Sequence, residues 1–75
     1  MFVVYSKRDC GYCQAVEKLL RIKNLDYEKK VLGRDFTREQ FIEQFGVTTF
    51  PQVLLDGETL GGAKETAKYI RENLS

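Results

Sequence analysis

Cys10-Gly11-Tyr12-Cys13 stands where an apolar run, Phe2-Val3-Val4-Tyr5, gives way through the polar Ser6-Lys7-Arg8-Asp9 to a stretch of helical periodicity. The four apolar residues are unbroken and β-branched or aromatic, the pattern of a central strand buried on both faces. From Tyr12 onward, Ala15, Val16, Leu19, Leu20 and Lys23 recur at helical spacing, with Glu17, Lys18 and Arg21 on the opposite side and Asn24 ending the helix. Two cysteines at a strand-to-helix turn can close a disulfide and reopen it. They are the only cysteines in the chain, which has no histidine.

Further along, Asp26 to Val31 sets Tyr27, Lys29 and Val31 against Glu28 and Lys30, the alternation of an edge strand guarded by lysines, and Gly33 breaks it. Thr37 followed by Gln40 reads as a capping box ahead of Phe41, Ile42 and Phe45, with Gly46 as the stop. Val53-Leu54-Leu55, Asp56-Gly57 and Glu58-Thr59-Leu60 spell a hairpin, because Asp-Gly tolerates the positive φ angles of a tight turn. After Gly61-Gly62, the residues Ala63, Ala67, Ile70 and Leu74 form one helical stripe. The order β-α-β-α-β-β-α predicts an α/β fold. Its four-stranded mixed sheet combines a parallel pair, joined by a right-handed crossover, with an antiparallel hairpin, and three helices cover the faces.

A chain of 75 residues with 43% hydrophobic content suits a single domain over residues 1–75. A formal charge of +1, with signs mixed along the chain, gives no field to recruit nucleic acid or a membrane surface. No apolar run approaches a bilayer span, and Phe2 to Tyr5 lacks the basic leader of a signal peptide. A soluble, cytoplasmic monomer is expected. In a reducing compartment one close cysteine pair points to redox chemistry rather than to a structural framework.

The thiolate is the nucleophile of thiol-disulfide exchange, so a redox cysteine needs surroundings that favour its anion. Cys10 falls at the expected start of the first helix, where unpaired N–H groups and the positive end of the dipole stabilise negative charge, and Lys7 and Arg8 add cations. Such sites lower a cysteine pKa from about 8.5 to roughly 3.5–7.5. Cys10 is therefore expected to attack and Cys13, one turn further on, to resolve the mixed disulfide. A structural zinc site takes four ligands where this chain offers two, and a bridge between residues three apart constrains the unfolded chain little. No metal site is expected from one chain.

Three other stretches have two readings each. Pro51, the only proline, reads as a strand-start residue with the ordinary trans peptide, or as a cis peptide that presents Thr49 and Phe50 to the cysteines. Gly61-Gly62 reads as a turn, or as the approach to a helix whose first N–H groups, at Ala63 and Lys64, take a carboxylate. Lys7, Tyr12 and Gln44 read from the residues alone as a solvated lysine, a half-exposed aromatic and a polar helix position.

Taken together, Val4-Tyr5-Ser6-Lys7, Cys10-Gly11-Tyr12-Cys13, Thr49-Phe50-Pro51-Gln52, Gly61-Gly62 and the closing Arg71-Glu72-Asn73-Leu74 resemble the glutaredoxin family over nearly the whole chain. The resemblance implies the thioredoxin fold and a cis Pro51. It implies an enzyme that reduces protein disulfides and glutathione mixed disulfides, with Cys10 as nucleophile, Cys13 as resolving thiol and glutathione as reductant. It implies that Lys7 and Tyr12 flank glutathione, that the Thr49 and Phe50 backbone pairs with its cysteinyl part beside Pro51, and that Ala63 and Lys64, just after Gly62, meet the γ-glutamyl carboxylate. Gln44 is assigned to the glycine carboxylate.

Two departures from the family pattern keep other outcomes open. Gly11 stands where proline is common, and dithiol relatives with a small residue there hold a [2Fe-2S] cluster between two subunits through the first cysteine, here Cys10. Ala63-Lys64-Glu65 stands where the family often carries a serine, threonine or aspartate followed by aspartate, an acidic side chain able to hold the glutathione ammonium group. Lys64 would repel that group unless it turns away, and Glu65, with a longer reach, is one candidate substitute. A chain that binds glutathione poorly would instead serve as an electron donor to ribonucleotide reductase, recharged by thioredoxin reductase. Thioredoxin itself is disfavoured, since the chain has no tryptophan and Tyr12 stands where thioredoxin has proline.

Overall fold

Alternation decides the central strand. Phe2, Val4 and Ser6 are buried on one side of strand β1 (Phe2–Ser6), and Val3 and Tyr5 are half-buried on the other, so both faces of this strand are covered. The computed structural model describes residues 1–74 and continues through α1 (Gly11–Ile22), β2 (Tyr27–Val31), α2 (Arg38–Phe45), β3 (Gln52–Leu55), β4 (Glu58–Gly61) and α3 (Ala63–Asn73). The four strands form one sheet in the order β2-β1-β3-β4. β1 runs parallel to β2, with Val4 opposite Lys29, and antiparallel to β3, with Val4 opposite Val53. The order of elements and the mixed four-stranded sheet are as the sequence predicts. Among the described residues no helix is long and apolar enough to cross a membrane.

The two faces of the sheet carry different chemistry. On one, Phe2 and Val4 of β1 and Val53 of β3 pack with Val16 and Leu20 of α1 and Ile70 of α3 into an aliphatic core. On the other, the Tyr5 ring lies 5.1 Å from Phe36, 6.4 Å from Phe41 and 4.9 Å from Phe45, an aromatic layer closed by α2. Phe36 reaches this layer through a turn after β2, in which the Val31 N–H donates to Asp35 Oδ2 at 2.8 Å and the Gly33 N–H to the Phe36 carbonyl at 2.9 Å. The Arg34 guanidinium, followed by that Val31 N–H, holds the Asp35 carboxyl below its ordinary value.

Helix ends follow local chemistry. In α2 the Gln40 N–H donates to Thr37 Oγ1 at 3.1 Å and the Thr37 N–H to Gln40 Oε1 at 2.8 Å, which is the expected capping box, and Gly46 closes the helix at φ 72°. Asp56 and Gly57, at φ 52° and 88°, make the hairpin turn.

Three expectations need correction. Glu17 is buried at 6% exposure rather than solvent-facing: its Oε1 accepts from the Tyr27 hydroxyl at 3.3 Å and its Oε2 lies 3.4 Å from Lys29 Nζ. Edge strand β2 supplies both partners, so the buried line of α1 runs through Cys13, Val16, Glu17 and Leu20 and leaves Ala15 exposed. In α3 the fully buried residues are Thr66 and Ile70, while Leu74, the C-cap residue beyond the helix, is exposed. Ile42 in α2 is likewise exposed, and Phe41 alone of that helix is fully buried.

Leu20 is wholly buried at the centre of the aliphatic core. Leu20→Ala is expected to lower the free energy of unfolding by about 2–5 kcal/mol in urea denaturation, a large share of the roughly 5–15 kcal/mol available to a domain. A loss under about 1 kcal/mol would mean that the site collapses around the smaller side chain.

Candidate active site

Cys10 is the N-cap of α1, at φ −113° and ψ 106°, and its Sγ accepts the Cys13 N–H at 3.2 Å. Its carbonyl takes the first helical bond, from the Gln14 N–H at 3.1 Å. The Cys10 sulfur thus occupies the position that a serine or aspartate oxygen takes in an ordinary helix cap, where a negative charge is favoured by the free N–H groups and the dipole. Cys10 and Cys13 form a disulfide with Cα atoms 5.3 Å apart. Cys10 is 7% exposed and Cys13 only 1%, so a partner approaching from solvent meets Cys10 first. Gly11 is the first residue of α1, and a Cβ there would meet open space.

The Phe50-Pro51 peptide is cis, the outcome that the family resemblance implied and that the ordinary preference of X-Pro bonds opposed. Gln52 anchors this segment, donating from Nε2 to the Thr49 carbonyl at 3.2 Å and to Thr49 Oγ1 at 3.3 Å. Phe50 is half-buried, with its ring stacked on Phe41 at 4.2 Å and 14°. Over that ring lies Lys7 Nζ, 5.6 Å from the centroid. Gln44 is exposed on α2, three residues beyond Phe41.

Pro51 also adjoins the start of α3, since a Cβ on Gly62 would lie 3.5 Å from the Pro51 carbonyl oxygen. There Glu65 turns back and accepts the Gly62 N–H at 2.9 Å. A Cβ on Gly61, which sits at φ 118°, would come within 2.9 Å of Glu65 Cγ, so this glycine makes room for the folded-back side chain. Glu65, the candidate substitute for the family's acidic residue, here turns back to cap its own helix. Half-buried Ala63 and exposed Lys64 join Tyr12, Leu19 and Ala67 in lining an apolar groove of about 300 Å³ between α1 and α3. Tyr12 is 73% exposed at its mouth.

Of the predicted residues, Lys7 is brought over the Phe50 ring that stacks on α2, Tyr12, Ala63 and Lys64 share the groove between α1 and α3, and Pro51 adjoins Gly62. Sequence reasoning missed Gln52 as the anchor of Thr49 and Phe41 as the support of Phe50. Neither carries a signal beyond adjacency to Pro51 and helical spacing. Among the described residues no three metal-ligating side chains cluster.

The family model described as Glutaredoxin matches residues 2–60. Glutaredoxin 3 of Escherichia coli (strain K12) is 32% identical over 63 residues, which are 83% of this chain and 76% of that protein. The hybrid peroxiredoxin hyPrx5 of Haemophilus influenzae is 35% identical over 67 residues, 89% of this chain, but the chain spans only 28% of its length. Among solved structures, a buckwheat glutaredoxin-glutathione complex superposes with a TM-score of 0.82 at 28% identity, over 95% of this chain and 68% of that one.

The N–H groups of Glu65 itself and of Gly62 hold the Glu65 carboxyl below its ordinary value. A depressed carboxylate stabilises the fold fully above its unfolded pKa of about 4.3, and that contribution is lost as the pH falls through the lower folded value. Glu65→Gln, which keeps the acceptor without the charge, is expected to lose less stability than the parent protein between about pH 6 and about pH 2. Urea midpoints at the two pH values give the comparison, and equal losses would show that the charge on this cap contributes nothing.

Proposed function

The chain belongs to the glutaredoxin family of thiol-disulfide oxidoreductases, and we propose that it draws its electrons from glutathione, reducing both protein disulfides and glutathione mixed disulfides. The observation that carries the chemistry is the Cys10 sulfur at the helix cap, accepting the Cys13 N–H. Once the disulfide is reduced, that N–H and the start of α1 favour a thiolate on Cys10. The thiolate attacks one sulfur of a substrate disulfide, forms a mixed disulfide and expels the other sulfur as a thiolate. On a protein disulfide, Cys13 then attacks the Cys10 sulfur, closing the Cys10-Cys13 bridge and releasing the substrate's second thiol. Two glutathione molecules reopen the bridge and leave as one glutathione disulfide. On a glutathionylated protein the attack of Cys10 on the glutathione sulfur frees the protein thiol, and a second glutathione restores Cys10 without Cys13.

Glutathione as the reductant is supported by what surrounds the disulfide. Lys7 offers a cation on one side, the Thr49-Phe50-Pro51 segment a stretch of backbone, and the first turn of α3 beyond Gly62 offers N–H groups at Ala63 and Lys64. The family pattern adds Tyr12 and Gln44, both exposed and open to a ligand. The buckwheat relative of the same fold is a glutathione complex. A reducing compartment, the cytoplasm, supplies glutathione in its thiol form.

The decisive measurement is turnover of a small glutathione mixed disulfide with glutathione, glutathione reductase and NADPH, run beside a thioredoxin reductase assay. Activity with glutathione is expected; activity with thioredoxin reductase alone would overturn the glutathione reading and make the protein a donor of the ribonucleotide reductase type. In the same assay Cys10→Ser is expected to fall to background. Cys13→Ser is expected to keep deglutathionylation and lose reduction of protein disulfides, and loss of both together would rule out the one-thiol route.

A further inference from the structure

We infer that Phe50 acts through its ring as a positioning residue for Lys7, presenting the ammonium group to a carboxylate of glutathione; this rests on the glutathione reading above. A lysine on a loop has a flexible four-carbon stem and a strongly hydrated head, and fixing it at one place costs side-chain entropy. Here Nζ stands 5.6 Å from the centroid of Phe50, within the range at which a ring face attracts a cation. Antiparallel register explains the meeting: Tyr5 pairs with Gln52, so Lys7, two residues after Tyr5, comes level with Phe50, two residues before Gln52.

The ring itself is held from below. It stacks on Phe41 at 4.2 Å and 14°, and on Phe36 at 6.2 Å and 21°. Phe41 is 1% and Phe36 9% exposed. The cation is thus tied to the packed aromatic layer of the sheet through one exposed ring face. An aliphatic side chain at position 50 would still pack against Phe41, with less volume, but present no negative π-face. The same layer carries a second cation, Lys30 Nζ, 5.7 Å from the Tyr5 ring. Lys30 belongs to edge strand β2 and takes no part in the proposed site, so it serves as an internal comparison.

The test is the KM for glutathione and kcat of the coupled reaction in the full chain, for Phe50→Leu, Lys7→Gln, the double variant, Phe50→Tyr and Lys30→Gln, with folding checked by circular dichroism. Phe50→Leu is expected to raise the KM about two- to fivefold, the range of an exposed cation-π contact, and Lys7→Gln, which removes the ammonium group itself, at least as much, each with a smaller change in kcat. The double variant is expected to match Lys7→Gln alone, because the ring acts only through the lysine. Phe50→Tyr keeps the ring and is expected to keep the KM, as is Lys30→Gln. If Phe50→Leu fails to fold, Phe50→Met takes its place. An unchanged KM for the aliphatic variant, or a further rise when it is added to Lys7→Gln, would overturn the positioning role while leaving the glutathione reading intact. Absence of glutathione turnover in the unmodified protein would remove both.

Discussion

Antiparallel pairing of β1 with β3 sets Val4 against Val53, and the catalytic end of the molecule depends on that register. Both residues are wholly buried beneath α1 and α3. A slip of one position would turn one strand's buried set toward the opposite face, so the pairing is held by the aliphatic core as much as by its hydrogen bonds. Extended past the paired residues, the same register brings Ser6 level with Pro51 and Lys7 level with Phe50. The cysteines lie where they do because the ladder beneath them cannot shift.

The two faces of the sheet divide the work. The aliphatic face supports the helices whose N-termini supply N–H groups, α1 at Cys10 and α3 beyond Gly62. The aromatic face supports side chains that bring polar groups in from the other direction, through Phe41 and Phe50. A sulfur at a helix cap gains from a field that falls off within the first turn. Small displacements of α1 would therefore matter more to Cys10 than to any residue deeper in the helix. Cys13, at 1% exposure, is held by the core itself.

Much of this was legible in the sequence because local chemistry determined it. The capping box at Thr37 and Gln40, the Asp56-Gly57 turn and the apolar run of β1 each act within a few residues, and each formed as read. What was not legible depends on partners far away in the chain. Glu17 looked solvent-facing because its helical neighbours are charged, and only β2 shows that Tyr27 and Lys29 receive it. Gln52 reads as an ordinary strand residue until Thr49 is folded back over it. Phe36 gave no periodic signal at all, since a turn rather than a helix or strand delivers it to the aromatic layer. For the Phe50-Pro51 peptide the residues alone pointed to trans and the family pattern to cis, so whole-chain resemblance carried information that no local propensity held.

The folded-back Glu65 ties together positions that different elements contribute. Gly61 ends β4, Gly62 caps α3 and Glu65 lies in its first turn, and a Cβ at position 61 or 62 would come within 2.9 or 3.3 Å of the Glu65 side chain. Substitution at any one of them changes what the other two can tolerate. A larger residue at 61 crowds the carboxylate at its cap, while a shorter side chain at 65 relieves that contact but leaves the φ of 118° that itself favours glycine at 61. Position 61 is therefore restricted twice over, by its backbone angle and by the side chain folded above it, whereas position 62, at φ −89°, is restricted by its neighbours alone.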